Sequence, residues 1–249
     1  MMDELRDRAI EKHCRELKMP GMATEYDHLL REGEHPKDYL LDCLEAGSRS
    51  KLERKLKFLT RNAKLPYTRT LAGFDFLRAP DIRKDQILEL GDGGFLKKGE
   101  NLILLGKSGT GKPHIAIGVA MACIAQGYSV RFTTAMGLAQ ELLVANDEHR
   151  LKKALARYEK CDLVIVDELG YLGLGPGGPM LFQFFAERYE RRSVCITTNL
   201  EFRRWTEIFG DVTMTEAMLD RLTHHAHIFV FKGESYRFAQ RIADVSSEN

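Results

Sequence analysis

The sequence predicts an α/β protein with a parallel sheet between two layers of helices, preceded by a small all-helical domain. Short apolar runs alternate with helical patterns after about residue 70, and a glycine-rich phosphate-binding motif follows the first of these runs. Residues 3 to about 64 show helical periodicity alone. Strands that are apolar along their whole length are buried on both faces, which is typical of parallel sheets covered by helices.

Five apolar runs are the predicted strands, at 101–105, 128–134, 162–167, 193–199 and 227–232. Helical patterns lie between them, notably over 112–126, 136–145, 149–160 and 179–191. We divide the chain into a helical domain (1–66), a sheet domain (67–243) and a short tail (244–249). The tail, DVSSEN, is expected to be disordered.

The helical domain is expected to break at 33–36 and to end in a helix over about 49–64. Its apolar positions fall on one face: Leu52, Leu56, Leu59 and Ala63. Basic positions fall on the opposite face: Arg54, Lys57, Arg61 and Lys64. Eight basic residues and one acid lie between residues 49 and 69, although the whole chain carries a net charge of only +1. This helix therefore predicts contact with DNA phosphates, and a merely solvated face is the alternative.

The motif GKSGTGKPHIA, residues 106–116, predicts a phosphate-binding loop between a strand and a helix. Its glycines let backbone N–H groups converge on phosphate oxygens, and the helix N-terminus favours negative charge. Lys112 supplies a positive charge for the β- and γ-phosphates. The predicted nucleotide-binding residues are Gly106, Lys107, Ser108, Gly109, Thr110, Gly111, Lys112, Pro113 and His114.

Pro113 occupies the position where this motif normally has Ser or Thr, whose hydroxyl binds Mg²⁺. Proline supplies neither that hydroxyl nor an N–H, but it is tolerated in the first turn of a helix. Two outcomes stay open. In one, an acid elsewhere, water and the nucleotide hold Mg²⁺ and hydrolysis is slow. In the other, nucleotide binds without hydrolysis.

Polar residues end two of the buried strands. Asp167 and Glu168 follow the third run, and we expect Asp167 to hold hydrated Mg²⁺ and Glu168 to polarise the attacking water. Asn199 follows the fourth run and is a candidate for contacting the γ-phosphate or the water, although Asn at a strand end is also a turn signal. Thr197 and Thr198 are lesser candidates there.

Two arginines are candidates for stabilising transition-state charge from a neighbouring subunit. Arg221 lies in LDRL, near the end of the helix before the last strand, and Arg237 lies in GESYR. An ordinary surface ion pair is the alternative for each. His224, His225 and His227 lack carboxylate or cysteine partners at ligand spacing in the sequence, so they are interpreted as surface residues.

The cysteines, the lengths of the apolar runs and the charged N-terminus indicate in which compartment the protein is expected. The five cysteines, at 14, 43, 123, 161 and 195, are scattered and predict neither a disulfide framework nor a zinc site, which fits a reducing cytosol. No apolar run approaches the roughly 20 residues that span a bilayer, and the N-terminus is too charged for a secretory signal. A cytoplasmic protein without a membrane partner is therefore expected.

An ordered series of segments resembles the IstB/DnaC-like branch of AAA+ ATPases, and more closely its IstB side. The segments run over nearly the whole chain: AKLP, TLAGFDF, NLILLGKSGTGKPHIAIG, VDELGYL, SVCITTNL and LDRLTHHAHIFVFKGESYR. The resemblance implies an AAA+ domain (an ASCE-type P-loop fold) with a five-stranded sheet in the order 5-1-4-3-2. It also implies ATP and Mg²⁺ as cofactors. The implied function is a helper that binds double-stranded DNA with little sequence preference, forms homo-oligomers on it and stimulates an insertion-sequence transposase.

By the same resemblance, residues 106–112 match the nucleotide loop, Asp167 and Glu168 the two acids, Asn199 the sensor position and Arg221 the trans-acting arginine. This chain departs from the family at Pro113, where the family has threonine, and at GLGPGGP (173–179), which is less acidic and richer in glycine.

Two other functions stay open. One is a replicative helicase loader acting on single-stranded DNA, which would favour aromatic residues for base stacking, whereas the 49–64 helix offers Phe58 alone. The other is a scaffold that binds nucleotide and DNA without hydrolysis. Arg203 and Arg204, beside Trp205, are a second candidate DNA contact.

Overall fold

The structure is a computed structural model that describes residues 2–170 and 174–233. The predictions for Gly173, for Arg237 and for the tail 244–249 lie outside the described residues. The chain divides into two compact units, of which the first ends at Phe58 and the second begins at Leu59. The domain boundary placed between residues 66 and 67 from the sequence stays a prediction.

The first unit is built from helices. They are α1 (Met2–Glu16), α2 (Pro20–Leu29) and the beginning of α3 (Pro36–Ala63). The break predicted at 33–36 is present, but a second break near Lys18, which has a φ of 57°, was not predicted. The last helix begins at Pro36 and not near Arg49. The helix continues through Gly47, and this glycine makes room for Met19, whose Cε would lie 2.2 Å from an added Cβ.

The second unit contains a parallel sheet of five strands. They are β1 (Asn101–Gly106), β2 (Val130–Thr134), β3 (Leu163–Leu169), β4 (Ser193–Thr198) and β5 (Ala226–Phe231). Their order is β2-β3-β4-β1-β5, and every neighbouring pair is parallel. The predicted order 5-1-4-3-2, read from the other edge, is confirmed.

Helices cover both faces of this sheet. They are α4 (Lys84–Leu90), α5 (Gly94–Lys97), α6 (Lys112–Ala125), α7 (Ala135–Asp147), α8 (Leu151–Glu159), α9 (Gly177–Arg188), α10 (Thr206–Phe209) and α11 (Val212–Thr223). In the three central strands β1, β3 and β4, alternate residues enter opposite hydrophobic clusters. Leu102 and Leu104 pack with Ile115 of α6, whereas Ile103 packs in the cluster that contains Leu138 of α7. The three-layer prediction is thus confirmed.

The glycine-rich segment at the start of α9 allows this helix to pack closely against its neighbours. The helix begins at Gly177, two residues before the predicted start at Pro179. A Cβ at Gly177 would lie 2.8 Å from the Cβ of Ala139 on α7, and one at Gly178 would lie 3.4 Å from the backbone oxygen of Phe209 on α10. Small residues therefore let the first turn of α9 approach both neighbours.

Among the helices of residues 2–170 and 174–233, none combines the length and the apolar character that a membrane span requires. All five cysteines lie in the described residues and all five are free thiols.

Candidate nucleotide-binding site

The predicted phosphate loop joins β1 to the N-terminus of α6. Gly109 and Gly111 have left-handed backbone conformations, with φ values of 80° and 94°. A Cβ on Gly111 would lie 2.6 Å from the ring of Phe74, and one on Gly106 would lie 2.4 Å from the carbonyl oxygen of Phe231. These close approaches require glycine at both positions. The loop is therefore a tight backbone cradle at a helix N-terminus, which is suited to an anion.

Lys112 lies inside this cradle. Its side chain is buried, and Nζ donates hydrogen bonds to the carbonyl oxygens of Gly106 at 2.6 Å and Lys107 at 2.7 Å. Burial lowers the pKa of Lys112 to about 8, and the negative charge of Asp167 opposes that shift. A buried ammonium held mainly by neutral carbonyls is costly, so an anionic ligand at this point would be favourable. The residues of the loop therefore fit the phosphate groups of a nucleoside triphosphate.

Pro113 is accommodated in α6 as predicted. It is the second residue of the helix, where no intrahelical N–H bond is needed, and Gly111 is the residue that caps the helix. The side chain of His114 contacts the connector before β1, since its Nε2 lies 3.0 Å from the carbonyl oxygen of Thr70 and its ring packs edge-on to Phe74. The contact predicted for His114 stays a prediction, and a backbone contact is the form that this geometry allows.

Asp167 and Glu168 are joined to β4 through Thr197. The Thr197 hydroxyl donates to a carboxylate oxygen of Asp167 and accepts a hydrogen bond of 3.0 Å from the backbone N–H of Glu168. Asp167 is buried, whereas the Glu168 side chain is exposed. Glu168 has a φ of 61° and lies where the register between β3 and β4 shifts, so the backbone here is a strained bulge. This bridging role of Thr197 is absent from the sequence prediction.

The parallel sheet brings the candidate residues to one edge. Thr198 pairs with Leu105 of β1 on one side and with Leu169 of β3 on the other. Asn199, which follows directly and is exposed, therefore lies between the strand that enters the phosphate loop and the strand that carries the two acids. The loop, Asp167, Glu168 and Asn199 are thus assembled as the sequence predicted, although their roles stay predictions.

Arg221 is not brought to this edge. Its guanidinium packs 5.2 Å from the ring centre of Phe182 on α9. The adjacent Leu222 carbonyl accepts a hydrogen bond of 3.1 Å from the side chain of Asn101, which begins β1. A strand rises about 3.3 Å per residue, so Gly106 at the other end of β1 is roughly 17 Å away along the strand. Arg221 therefore lies far from the loop of its own chain, and its action on a neighbour's loop stays a prediction.

A depression beside the loop was not predicted from the sequence. It is lined by Arg78, Ala79, Asp81, Ile82, Thr110, Phe231, Lys232 and Gly233. Phe74, whose ring lies against Gly111, brings the connector TLAGFDF (70–76) to the phosphate loop, and Phe231, which lies against Gly106, brings the end of β5 there. The only signal for this in the sequence is the conspicuous aromatic content of the connector.

The predicted DNA-binding residues have different surroundings. Lys57, Arg61 and Lys64 are exposed. Arg54 is exposed as well, but its guanidinium donates to the carbonyl oxygens of Lys18 at 2.6 Å and Ser50 at 3.3 Å. Arg54 thus ties the end of α1 to α3 within the first unit, which the sequence did not predict.

The apolar face of this helix is buried unevenly. Ala63 is buried and Leu56 and Leu59 are half-buried, but Leu52 is 53% exposed.

The second candidate DNA contact, Arg203 and Arg204 beside Trp205, stays a prediction. Trp205 is fully buried and donates to the Leu200 carbonyl, so it offers no ring to a base. Arg203 pairs with Glu201 at 2.7 Å and Arg204 with Glu207 at 2.8 Å, which neutralises the local charge.

Known proteins resemble this chain over most of its length. A family model described as IstB-like ATP binding protein matches residues 12–243. The ATP-binding protein of insertion sequence IS5376 from Geobacillus stearothermophilus is 38% identical over 237 residues, covering 93% of this chain and 94% of its own. The chain therefore has a five-stranded parallel α/β fold with a glycine-rich loop between β1 and α6. The chain belongs to the family of IstB-like ATP-binding proteins.

Solved structures support the fold. The DnaC helicase loader superposes with a TM-score of 0.53 at 21% identity, covering 60% of this chain and 88% of that one. AMPPCP-bound DnaA from Aquifex aeolicus gives a TM-score of 0.55 at 16% identity, covering 74% of this chain and 56% of that one.

Proposed function

We propose that this protein is an ATP-dependent DNA-binding helper that assembles on double-stranded DNA and stimulates an insertion-sequence transposase. Family membership supports the connection with insertion sequences. The observation that carries the nucleotide part is the buried Lys112 ammonium at the N-terminus of α6, opposite the buried Asp167 carboxylate.

In this proposal the loop binds the triphosphate of ATP. The N–H groups of residues 106–112 and the α6 dipole contact the phosphates, and Lys112 exchanges its bonds to the Gly106 and Lys107 carbonyls for bonds to phosphate oxygens.

Asp167 is the residue that would hold Mg²⁺, which when bound neutralises charge on the phosphates. Pro113 contributes no ligand, so the protein supplies a weaker metal site than a loop with threonine. Glu168 acts as the base that orients and deprotonates the attacking water, and Asn199 positions that water. Arg221 of a neighbouring copy stabilises the developing charge. Slow hydrolysis follows from the missing hydroxyl.

In this proposal, exposed basic residues on α3 and Lys64, which directly follows it, contact the phosphates of the DNA backbone and do not read the bases. Lys57 and Lys64 carry exposed charges, whereas Arg54 is occupied by backbone carbonyls. Contacts of this kind make affinity fall steeply with salt and make it largely independent of sequence.

The test combines nucleotide binding with DNA binding by the full chain. The purified protein should bind a fluorescent ATP analogue, and Lys112→Ala should remove most of that binding. Duplex DNA should shift in a gel at lower protein concentration than single-stranded DNA of equal length, and ATP should lower that concentration further. The proposal fails if nucleotide does not bind with or without Mg²⁺. Preference for single strands would favour the helicase-loader function instead.

Connection with transposition is tested separately. The transposase of the same insertion sequence should join DNA ends faster in the presence of this protein and ATP than without it. Stimulation that persists with Lys112→Ala would favour a scaffold whose DNA binding needs no nucleotide.

A further inference from the structure

We propose that Glu190, His224 and His225 form a binding site for a divalent transition-metal ion such as Zn²⁺, separate from the nucleotide site. Glu190 lies between α9 and β4, and the two histidines lie between α11 and β5. All three therefore stand at the amino ends of the strands, the edge of the sheet opposite the phosphate loop. The two histidines were interpreted from the sequence as lacking a carboxylate partner, and the fold supplies one from 34 residues earlier in the chain.

The chemistry of the cluster suits zinc. One ligand atom from each side chain lies within 4.8 Å of the others, and all three residues are exposed. Zinc binds imidazole nitrogen and carboxylate oxygen at about 2.0–2.2 Å, so small side-chain rotations close the cluster around one ion. Two histidines and one carboxylate leave a fourth position for water. Mg²⁺ prefers oxygen ligands and would not compete effectively here.

The backbone holds these ligands in place. Glu190 adopts a φ of 56°, a conformation that costs energy for a residue with a side chain. Its carbonyl group packs against Gly99, where an added Cβ would lie 3.1 Å from the Glu190 carbonyl carbon. The carbonyl of His225 accepts a hydrogen bond of 2.7 Å from the N–H of Asn101. Both ligand segments are therefore anchored at the start of β1.

Two neighbouring features favour a cation. His224 follows the last residue of α11, where the negative end of the helix dipole attracts positive charge. The Tyr189 hydroxyl lies 3.2 Å from Nδ1 of His224, which orients the ring and leaves Nε2 to bind the metal. His227 does not join this cluster, because its Nε2 lies 2.9 Å from Glu100.

The site lies next to Arg221 in the chain. A metal ion bridging Glu190 to residues 224 and 225 would fix the C-terminal end of α11, which carries that arginine. Metal binding itself is independent of the proposed nucleotide function. Its failure and the failure of that function are therefore distinguishable, since one is read with Zn²⁺ and the other with ATP.

The experiment is a calorimetric titration of the full chain with ZnCl₂ at about pH 7.5, where imidazole is mostly neutral. One ion per chain is expected to bind to the wild type. Each of His224→Ala, His225→Ala and Glu190→Gln should weaken that binding by about tenfold or more. His28→Ala, which removes an exposed histidine on α2, is the matched control and should bind like the wild type.

Co²⁺ provides a second readout. It should give visible absorption typical of nitrogen and oxygen ligands, and this absorption should disappear in His225→Ala. Absence of Zn²⁺ binding, unchanged affinity in all three cluster variants, or a thiolate charge-transfer band in the Co²⁺ spectrum would each overturn the proposal.

Discussion

The hydroxyl of Thr197 on β4 donates a hydrogen bond to the carboxylate of Asp167 on β3. The same hydroxyl accepts the N–H of Glu168, whose backbone is in a left-handed conformation. One side chain thus aligns the residue proposed to hold Mg²⁺ and the residue proposed to activate water.

Thr197→Val keeps the shape of this side chain and removes its hydrogen bonds. A buried carboxylate and a backbone N–H would each lose a partner, so the free energy of unfolding should fall by about 1–3 kcal/mol. The Mg²⁺ concentration that half-saturates nucleotide binding should rise several-fold. Thr197→Ser, which keeps the hydroxyl, should resemble the wild type in denaturant titrations and in Mg²⁺ dependence. Equal Mg²⁺ dependence in the valine variant would contradict the positioning role.

Nucleotide affinity should depend on pH through Lys112. Burial lowers the pKa of this lysine to about 8, and a bound triphosphate would raise it again. Below about pH 8 Lys112 is already protonated in the nucleotide-free protein. At higher pH it is mostly neutral there, so it must take up a proton when the nucleotide binds. Affinity should be constant on the acidic side of about pH 8 and fall by up to about tenfold per pH unit above it.

Fluorescence titration with an ATP analogue between about pH 7 and pH 9.5 measures this fall. Lys112→Met should bind weakly at every pH and lack the step. If the methionine variant shows the same step, another group is responsible.

Replacing Pro113 tests the cost of the lost metal ligand. Pro113→Thr restores a hydroxyl and an N–H, and should increase ATPase activity several-fold or more. Valine has nearly the same shape as threonine, so Pro113→Val restores the N–H without the hydroxyl. The difference in ATPase activity between the threonine and valine variants therefore measures the contribution of the hydroxyl. A wild type that already turns over as fast as the threonine variant would show that Mg²⁺ is held adequately without it.

Glu168→Gln separates hydrolysis from binding. The amide keeps the size of the side chain but cannot accept the proton of the attacking water. Any hydrolysis by the wild type should be abolished, while affinity for the ATP analogue should stay within about twofold. Residual phosphate release at the wild-type rate would exclude Glu168 as the base.

Arg54 and Lys57 should respond differently to removal. Lys57→Ala should weaken binding to duplexes of any sequence and reduce the salt slope of log affinity by about one, as expected for one phosphate contact. Arg54→Ala should mainly lower the melting temperature, because its guanidinium bonds to the Lys18 and Ser50 carbonyls. A large loss of DNA affinity in Arg54→Ala without loss of stability would reverse this assignment.

The sheet could be predicted because its signals are local. Each strand is a short apolar run, and all five observed strands begin and end within two residues of their predicted limits. The phosphate loop is likewise encoded in consecutive residues. The strand order came from the family resemblance and not from any of these local signals.

The features that could not be predicted from the sequence depend on contacts between residues far apart in the chain. Arg54 bonds to a carbonyl 36 residues away, and Thr197 bonds to residues about 30 positions earlier. Glu190 meets His224 and His225 only because the strands place their starting ends together. Gly47 lies inside helix α3, where Met19 fills the space that a side chain at position 47 would take. None of these contacts leaves a pattern of fixed spacing.

The separation of Arg221 from the phosphate loop determines how many complete catalytic centres an assembly of this protein contains. Under the proposal that this arginine acts on the adjoining copy, each junction between copies creates one complete catalytic centre. A closed ring would then have as many centres as chains, whereas an open filament would always have one fewer, and an isolated chain would have none. Specific activity would climb with filament length on longer duplexes and level off, so the substrate DNA would itself set how much ATP each molecule consumes.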